Sequence, residues 1–523
     1  MNSSEFEEFS SKLHPISLTS VTSPLTKYQI MYKFCVHPGN NPESVKEALI
    51  RRGNFEEVSN NQQENFEEIH FIWRPTQFPS RMQNKIRSIN SIRKNPVIIN
   101  HIDSFQTILN KQGLYLNLRT YYMTNNDALL GKYKIEDSVP TTFIIDVGQG
   151  NDDFLNFKKR FKELEAKNYK NERMPSKHCL QNIWILKPAN QNQGRGIEII
   201  KRIEEMAKSL ENKPVKSKWI IQKYIERPLL YMNRKFDIRI WVLLTDNCEI
   251  FMYKEGYIRT SSDKFTLSSN YNFIHLTNNC LQKFSPSYSF FEEGNTISFA
   301  EFNDYLLNNY QTRLDNTIIP KIRDMIIDSI LSARSEIPLG KRKYSFEFLG
   351  YDFMIDEDFR VWLIEVNVNP YLGIPNQFIA NLLPKMLENL LEIVLVKRYP
   401  SNKVSKINNF QLIYCEKGTS FSLFPVNLRS TFIPNQKKNE IIQSLNTIEI
   451  LNTSSSNRVN CLTKHTKSSN RTVNLLLEEL NDSLESKNIS IIELTIQKIS
   501  KSIESLKNSL TQNKRNIYLV HLN

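Results

Sequence analysis

The chain has 523 residues, of which 40% are hydrophobic and 11% aromatic; this gives room for about two to four domains and excludes a largely disordered or fibrous polypeptide. A formal net charge of +13 points to an acidic partner (nucleic acid, anionic lipid or an acidic polypeptide), with an ordinary basic soluble surface as the plain alternative. Cys35, Cys179, Cys248, Cys280, Cys415 and Cys461 form no Cys-x-x-Cys pair, which argues against a zinc site or disulfide framework and fits a reducing compartment. No apolar run approaches the ~20 residues of a membrane span. The acidic start, Met-Asn-Ser-Ser-Glu-Phe-Glu-Glu, has no apolar core and is not expected to act as a signal peptide.

Residues 1–24 are rich in Ser and Thr and are expected to be a flexible N-terminus. Tyr28–Val36 reads as a strand. Asn41 and Pro42 then open a helix as cap and first-turn residue, and Gly53 closes it. With a second strand at Ile69–Trp73, these elements suggest a small N-terminal αβ domain over 25–102. Residues 83–135 alternate between helical and irregular patterns. A short strand follows at Thr141–Asp146, and a charged helix at Asp153–Tyr169. From Asn182 to Pro370 the chain is rich in strands, interrupted by helices near Phe299–Leu314 and Ile319–Ala333, and Leu382–Val396 reads as a closing amphipathic helix. Residues 103–400 therefore make up the expected central and catalytic part. The polar stretch 401–470, with Thr453-Ser454-Ser455-Ser456, reads as linker. Within 471–512, Ile492, Ile496, Ile499, Ile503, Leu506 and Leu510 recur at 4-3-4-3-4 spacing. That pattern fits a short coiled coil or a helix packed on its own domain.

The chemistry-bearing residues lie between Trp184 and Pro370. The segment Tyr351–Pro370 reads as two strands joined by the acidic turn Asp356-Glu357-Asp358. Alternation places Leu363, Glu365 and Asn367 on one face of the second strand, and Trp362, Ile364 and Val366 on the other. A carboxylate and a carboxamide two residues apart, with Asp352 on the neighbouring strand, suit a hard cation such as Mg²⁺; an amphipathic hairpin with a solvated face is the alternative. Trp184-Ile-Leu-Lys187-Pro188 runs into a loop bearing Gln193-Gly194-Arg195-Gly196, whose glycines let backbone N–H groups approach phosphate. Neither a P-loop nor a protein-kinase motif set is present. Trp219-Ile-Ile-Gln222-Lys223-Tyr224-Ile225 suits either a buried strand or a purine hinge. Lys235, Asp237 and Arg239 share one face of an otherwise apolar strand, an arrangement that needs a polyanion, or else an exposed ion-paired edge. Arg259, on the strand after Lys254-Glu255-Gly256, is shaped to hold a carboxylate. His275-Leu-Thr277-Asn278-Asn279-Cys280-Leu-Gln-Lys283 says little as an isolated string.

Taken in order, Trp-Ile-Leu-Lys-Pro, Gly-Arg-Gly-Ile, Gln-Lys-Tyr-Ile-Glu-Arg-Pro-Leu, Lys-Phe-Asp-Ile-Arg, Tyr-Lys-Glu-Gly-Tyr-Ile-Arg, His-Leu-Thr-Asn and Asp…Glu-Val-Asn resemble the tubulin–tyrosine ligase-like family. The match is dense over roughly residues 180–375. The resemblance implies an α/β (α+β) fold with an ATP-grasp-like core, a small N-terminal αβ domain and a C-terminal helical extension. It also implies an ATP- and Mg²⁺-dependent ligase that activates a glutamate carboxylate as an acyl phosphate and joins an amino acid to it. By the same resemblance, Lys187, Gln193, Gly194, Gln222, Lys223, Tyr224, Ile225, Lys235, Asp237, Thr277 and Asn278 would bind ATP, with Arg195 a substitute phosphate contact. Asp352, Glu365 and Asn367 would hold Mg²⁺, with Glu365 also catalytic. Arg259 and Lys283 would hold the incoming amino acid, and Arg239 would stabilise charge during acyl transfer. Gln193 stands where many members carry arginine, and with the stretch Leu276–Tyr288 it leans toward the glycine-adding, polyglycylase branch over the glutamate-adding one. The implied partners are the acidic tails of tubulin or microtubules and free glycine or glutamate, with no nucleic acid and no membrane span. The implied location is cytoplasmic, on the microtubule cytoskeleton or in the cilium. A microtubule-binding protein of weak catalysis and an unrelated ATP-grasp ligase are the competing readings.

Overall fold

The computed structural model describes residues 31–39, 41–58, 65–102, 105–124, 134–148, 152–166, 181–191, 194–336, 343–401, 403 and 407–416. The expected flexible N-terminus, Gln193, the hydroxyl-rich run at 453–456 and the heptad-like segment 492–510 lie outside these residues. The strands in chain order begin with β1 (Tyr32–Val36), β2 (Phe55–Glu57), β3 (Phe71–Trp73) and β4 (Ile98–Asn100). Next come β5 (Thr142–Asp146), β6 (Trp184–Pro188), β7 (Glu198–Ile200) and β8 (Lys218–Lys223). The third group is β9 (Leu230–Tyr231), β10 (Arg234–Thr245), β11 (Glu249–Tyr253) and β12 (Tyr257–Lys264). The last are β13 (Thr296–Ser298), β14 (Ser345–Ile355), β15 (Val361–Val368) and β16 (Phe410–Cys415).

Among the described residues two sheets carry the fold. The larger runs β13-β12-β10-β14-β4-β3-β1-β2, with β9 and β11 on β10, β15 on β14 and β16 on β11. The smaller is four-stranded and antiparallel, in the order β5-β8-β6-β7. The N-terminal strands β1–β4 pair in parallel and continue the large sheet through β4 and β14. β16 lies within the stretch that reads as polar linker; Phe410, Leu412 and Tyr414 nevertheless pair with β11. The helix expected to be capped by Asn41 does begin at Pro42, but Asn41 adopts φ +55° and its side chain makes no capping bond. The closing helix spans Gln377–Leu395, several residues longer than its periodicity suggests, and the Asn376 side chain caps it by accepting from the Ile379 N–H at 2.9 Å.

β10 organises the core, and all twelve of its residues are buried. It pairs with β14 from Ile238↔Phe353 to Thr245↔Phe346. One face carries Phe236, Ile238, Ile240, Val242 and Leu244 into a core shared with helix Ile319–Ser332. The other face changes character halfway along. Trp241 and Leu243 join the core under helix Gln377–Leu395, whereas Lys235, Asp237 and Arg239 precede them on the same side. Alternation thus carries the strand out of its apolar core and into a charged cleft without a change of direction.

The hairpin β14–β15 differs from simple alternation. Its register shifts between Asp352↔Glu365 and Phe353↔Leu363, so Ile364 is the extra residue of a β-bulge. Leu363 and Val366 therefore share the large core, while Trp362 and Ile364 pack with Ile225 and Met354 on the cleft side. Glu365 also lines the cleft, which corrects the expected grouping of Leu363 with Glu365. The acidic turn is a structural clasp. Fully buried Asp356 accepts from the Asp358 and Arg360 N–H groups, both at 3.0 Å, and from Trp362 Nε1 at 2.9 Å.

Candidate active site

The cleft lies between the two sheets, open in part to solvent, with a volume of about 830 Å³. The small sheet contributes Ile185 and Lys187 from β6 and Gln222 to Ile225 from the end of β8. The large sheet contributes Lys235 and Asp237 from β10, Arg259 from β12, Asp352 and Met354 from β14, and Ile364 and Glu365 from β15. Leu276, Thr277 and Asn278 fill the edge. One part of the lining is apolar (Ile185, Leu276, Met354, Ile364) and the rest is densely charged, a combination suited to a flat ring system joined to a polar chain. Gly194 sits at φ +74°, a conformation that disfavours other residues, and brings the loop after β6 close to Leu276 and Asn278.

Four charged residues form a buried lattice. Arg239 donates to both oxygens of Asp352, from Nε at 2.5 Å and from Nη2 at 3.0 Å. Arg259 donates from Nε and Nη2 to the oxygens of Asp237, at 2.6 and 2.9 Å. Nη2 of Arg259 also lies 2.9 Å from Asp352 Oδ2. The Thr277 hydroxyl donates to Asp237. Burial works to raise the Asp352 pKa, but the two guanidiniums overcome it and hold the carboxyl well below the usual carboxylate range. Gly350 makes room for this arrangement, because a Cβ there would sit 2.9 Å from Pro370 Cβ and 3.3 Å from Arg239 Nη1.

Asp352 and Glu365 are cross-strand partners, and the Asn367 amide bridges them, 3.0 Å from Glu365 Oε1 and 3.3 Å from Asp352 Oδ2. Two carboxylates and a carboxamide make an all-oxygen donor set, sparse enough to require further oxygens from a ligand, as Mg²⁺ sites built on nucleotide phosphates do. Among the described residues no group of three or more His, Cys, Asp or Glu side chains is placed to hold a metal ion by itself.

Two buried lysines point into the cleft. Lys187 Nζ donates to Gln222 Oε1 at 2.7 Å. Lys235 Nζ donates to Tyr224 Oη at 3.0 Å and to the His275 carbonyl at 2.8 Å. Burial, reinforced by Lys111, pushes Lys187 down to about 8; burial, reinforced by Lys187, pushes Lys235 down to about 7. Both lysines are short of negative charge, which a polyanion in the cleft would supply. Lys223 is not short of it, since it is paired with buried Glu226.

A second cavity of about 880 Å³ adjoins the first, shares Arg259, Asn278 and Glu365 with it, and adds Arg239, Cys280, Asn367 and Tyr371.

A model described as the tubulin-tyrosine ligase family matches residues 90–403, more than half of the chain. The chain belongs to the tubulin-tyrosine ligase family. Over 243 residues (45% of this chain, 24% of the relative) it is 35% identical to "Tubulin glycylase 3A" of Drosophila melanogaster. It is 35% identical over 244 residues to human "Tubulin monoglycylase TTLL3", covering 45% of this chain and 31% of that protein. A third match, at 32% over 255 residues, is "Probable alpha-tubulin polyglutamylase Ttll1" of Tetrahymena thermophila, covering 45% of this chain and 61% of that protein. The chain thus spans only about a quarter to a third of the length of those two glycylases. The family match agrees with the mixed α/β architecture and its two sheets around a cleft. Among the described residues no helix is long and apolar enough to cross a membrane.

Within this family member, most residues singled out from sequence converge on the two cavities. Lys187, Gly194, Gln222, Lys223, Tyr224, Ile225, Lys235, Asp237, Thr277, Asn278, Arg259, Asp352 and Glu365 line the first, and Arg239 and Asn367 the second. Lys283 does not join them: it is exposed, lies 5.1 Å from the Phe284 ring centroid, and lines neither cavity. The short helix Asn279–Gln282 turns Gln282 inward instead, where it holds Ser262. Arg195 is exposed as well and lines neither cavity. Lys111 was not foreseen. It reaches 3.7 Å from Glu365 Oε2 and donates to the Gln191 carbonyl at 2.6 Å. Nothing around Lys111 in the sequence marks it, because its partners lie 80 or more positions away.

Proposed function

We propose that this chain is an ATP-dependent ligase that joins an amino acid, glycine by preference, to glutamate side chains or growing side chains on tubulin tails. The observation that carries the reading is the meeting, in one cleft of a tubulin-tyrosine ligase family member, of two anion-seeking lysines with an arginine–carboxylate lattice. ATP bound there with Mg²⁺ supplies the phosphoryl group that turns a carboxylate into an acyl phosphate. Lys187 and Lys235 hold phosphate oxygens, the Gln222–Ile225 segment receives the purine, and Thr277 and Asn278 close the edge. Asp352, Glu365 and Asn367 offer oxygens to the metal. Arg239, at the border of the second cavity, stabilises the oxyanion formed when the incoming amine attacks. Arg259 spends Nε and Nη2 on Asp237 and Asp352, which leaves Nη1 for the carboxylate of the amino acid. The net charge of +13 suits a glutamate-rich acceptor and makes docking sensitive to salt. A tubulin substrate would place the protein on microtubules, including those of cilia.

Glycine is favoured because glycylases stand among the similar proteins; the Tetrahymena polyglutamylase match keeps glutamate as the second donor. The test is incubation with ATP, Mg²⁺ and tubulin, with labelled glycine and labelled glutamate in parallel, read by mass spectrometry of the tails. Glycine incorporation is expected, and incorporation of neither amino acid would favour a binding protein of weak catalysis. Glu365→Gln should abolish ligation while leaving binding to acidic tails intact, and full activity in that variant would sink the metal assignment.

A further inference from the structure

The cleft contains a hydrogen-bond chain whose direction is fixed by chemistry. His275 Nε2 lies 2.7 Å from the Ser269 carbonyl, which can only accept, so Nε2 carries the proton. Burial pushes His275 down to about 4, so the ring is neutral at physiological pH and its Nδ1 is an acceptor. Tyr224 Oη lies 2.8 Å from that Nδ1 and must donate to it. With its one proton given to Nδ1, Tyr224 Oη can only accept from Lys235 Nζ, at 3.0 Å. The His275 carbonyl accepts a second Lys235 N–H at 2.8 Å. Two of the three ammonium N–H groups are thereby assigned, and the third is left for the cavity that Lys235 lines.

We propose that His275, acting through the Tyr224 hydroxyl and through its own carbonyl, is a positioning residue that aims the Lys235 ammonium at the phosphates of the nucleotide. The proposal rests on the nucleotide reading given above. The ring proton on Nε2 selects the acceptor on Nδ1; that acceptor sets the rotation of the Tyr224 hydroxyl; and the hydroxyl oxygen then turns its lone pair to Lys235. Without the ring, the hydroxyl rotates freely and the lysine keeps only the carbonyl as a guide. His275 touches no reacting atom in this scheme, and its effect falls on binding and orientation of the nucleotide.

The test uses the full chain. ATP affinity is measured by titration calorimetry, and steady-state ligation gives kcat and KM for ATP and for the amino acid. Tyr224→Phe removes a single oxygen and retains the ring, so it is the variant best placed to fold normally. It and His275→Ala should each weaken ATP binding about tenfold, close to 1.4 kcal/mol. KM for the amino acid should not change. The double variant should be no worse than either single one, because the two groups act in series. His275→Asn, whose Oδ1 replaces the Nδ1 acceptor, should recover most of the affinity. Additive losses, or ATP affinity unchanged in Tyr224→Phe, would overturn the proposal while leaving the nucleotide site standing. Failure of the unsubstituted chain to bind ATP would overturn both.

Discussion

Arg239 and Asp352 allow a quantitative test of the buried lattice, because the structure makes the two single substitutions unequal. Arg239→Ala removes a guanidinium that is 5% exposed, yet Asp352 retains the Arg259 Nη2 contact at 2.9 Å. Asp352→Asn leaves Arg239 without the carboxylate that took both of its hydrogen bonds, while Arg259 keeps Asp237. Breaking a buried ion pair by deleting one partner costs about 3–5 kcal/mol. Arg239→Ala belongs near the lower end of that range and Asp352→Asn near the upper. The double substitution removes both partners of the bidentate pair, so it should cost at least about 2 kcal/mol less than the sum of the singles. For a folded unit of this size each kcal/mol corresponds to roughly 1–2 °C, which puts Arg239→Ala about 3–6 °C below the parent protein in melting temperature. Equilibrium denaturation and calorimetry without nucleotide would measure all four corners of the cycle. Additive costs, or a larger cost for Arg239→Ala than for Asp352→Asn, would refute the geometry described for Arg259 as shared partner.

Two further outcomes follow from groups away from that pair. Asp356→Ala should destabilise the protein by roughly 3–5 kcal/mol, because three hydrogen bonds are lost and a buried indole N–H is left unpaired; a melting curve indistinguishable from the parent would contradict the clasp role. Nucleotide binding near pH 8 should take up about one proton, since Lys235 and Lys187, lowered to about 7 and 8, are partly neutral there and phosphates favour their charged forms. The uptake should vanish below about pH 6, where both are already charged, and calorimetry in buffers of different ionisation enthalpy would reveal its absence.

Much of the site was legible because strand alternation is local. Lys235, Asp237 and Arg239 sit among apolar neighbours at a spacing of two, and no long-range information is needed to put them on one face. The same rule failed four residues before the end of the β14–β15 hairpin, where the bulge at Ile364 shifts Glu365 onto the cleft side together with Ile364. Bulges carry no residue signature here: Leu363, Ile364 and Val366 are interchangeable by hydropathy, and only the partner strand reveals which one is extra. Lys283 illustrates a different limit. Its position in the ordered motif suggested substrate contact, but a single turn of helix after Asn278 decides which of Gln282 and Lys283 faces inward. β16 was hidden because its pairing partner β11 lies some 160 residues earlier, and its polar surroundings masked its own alternation.

The placement of the cleft follows from where the cover of β10 changes. Beyond Trp241 the strand's second face is sealed by helix Gln377–Leu395, and charged side chains there would be stranded in hydrocarbon. Before Trp241 that face meets the small sheet across a gap, and the guanidiniums of Arg239 and Arg259 can be matched by Asp237 and Asp352. That matching is internally balanced: two cations face two carboxylates, so the lattice exerts little net pull on a ligand. Of the other cleft cations, Lys223 is paired with Glu226, whereas Lys111, Lys187 and Lys235 have only Glu365 as a further carboxylate in the lining outside the lattice. The excess positive charge therefore comes from lysines, of which Lys187 and Lys235 are lowered far enough for their protonation to respond to what is bound, while the arginines keep a fixed geometry. Such a division suits a site that must admit a highly charged nucleotide, neutralise it on entry and release it after charge has been lost.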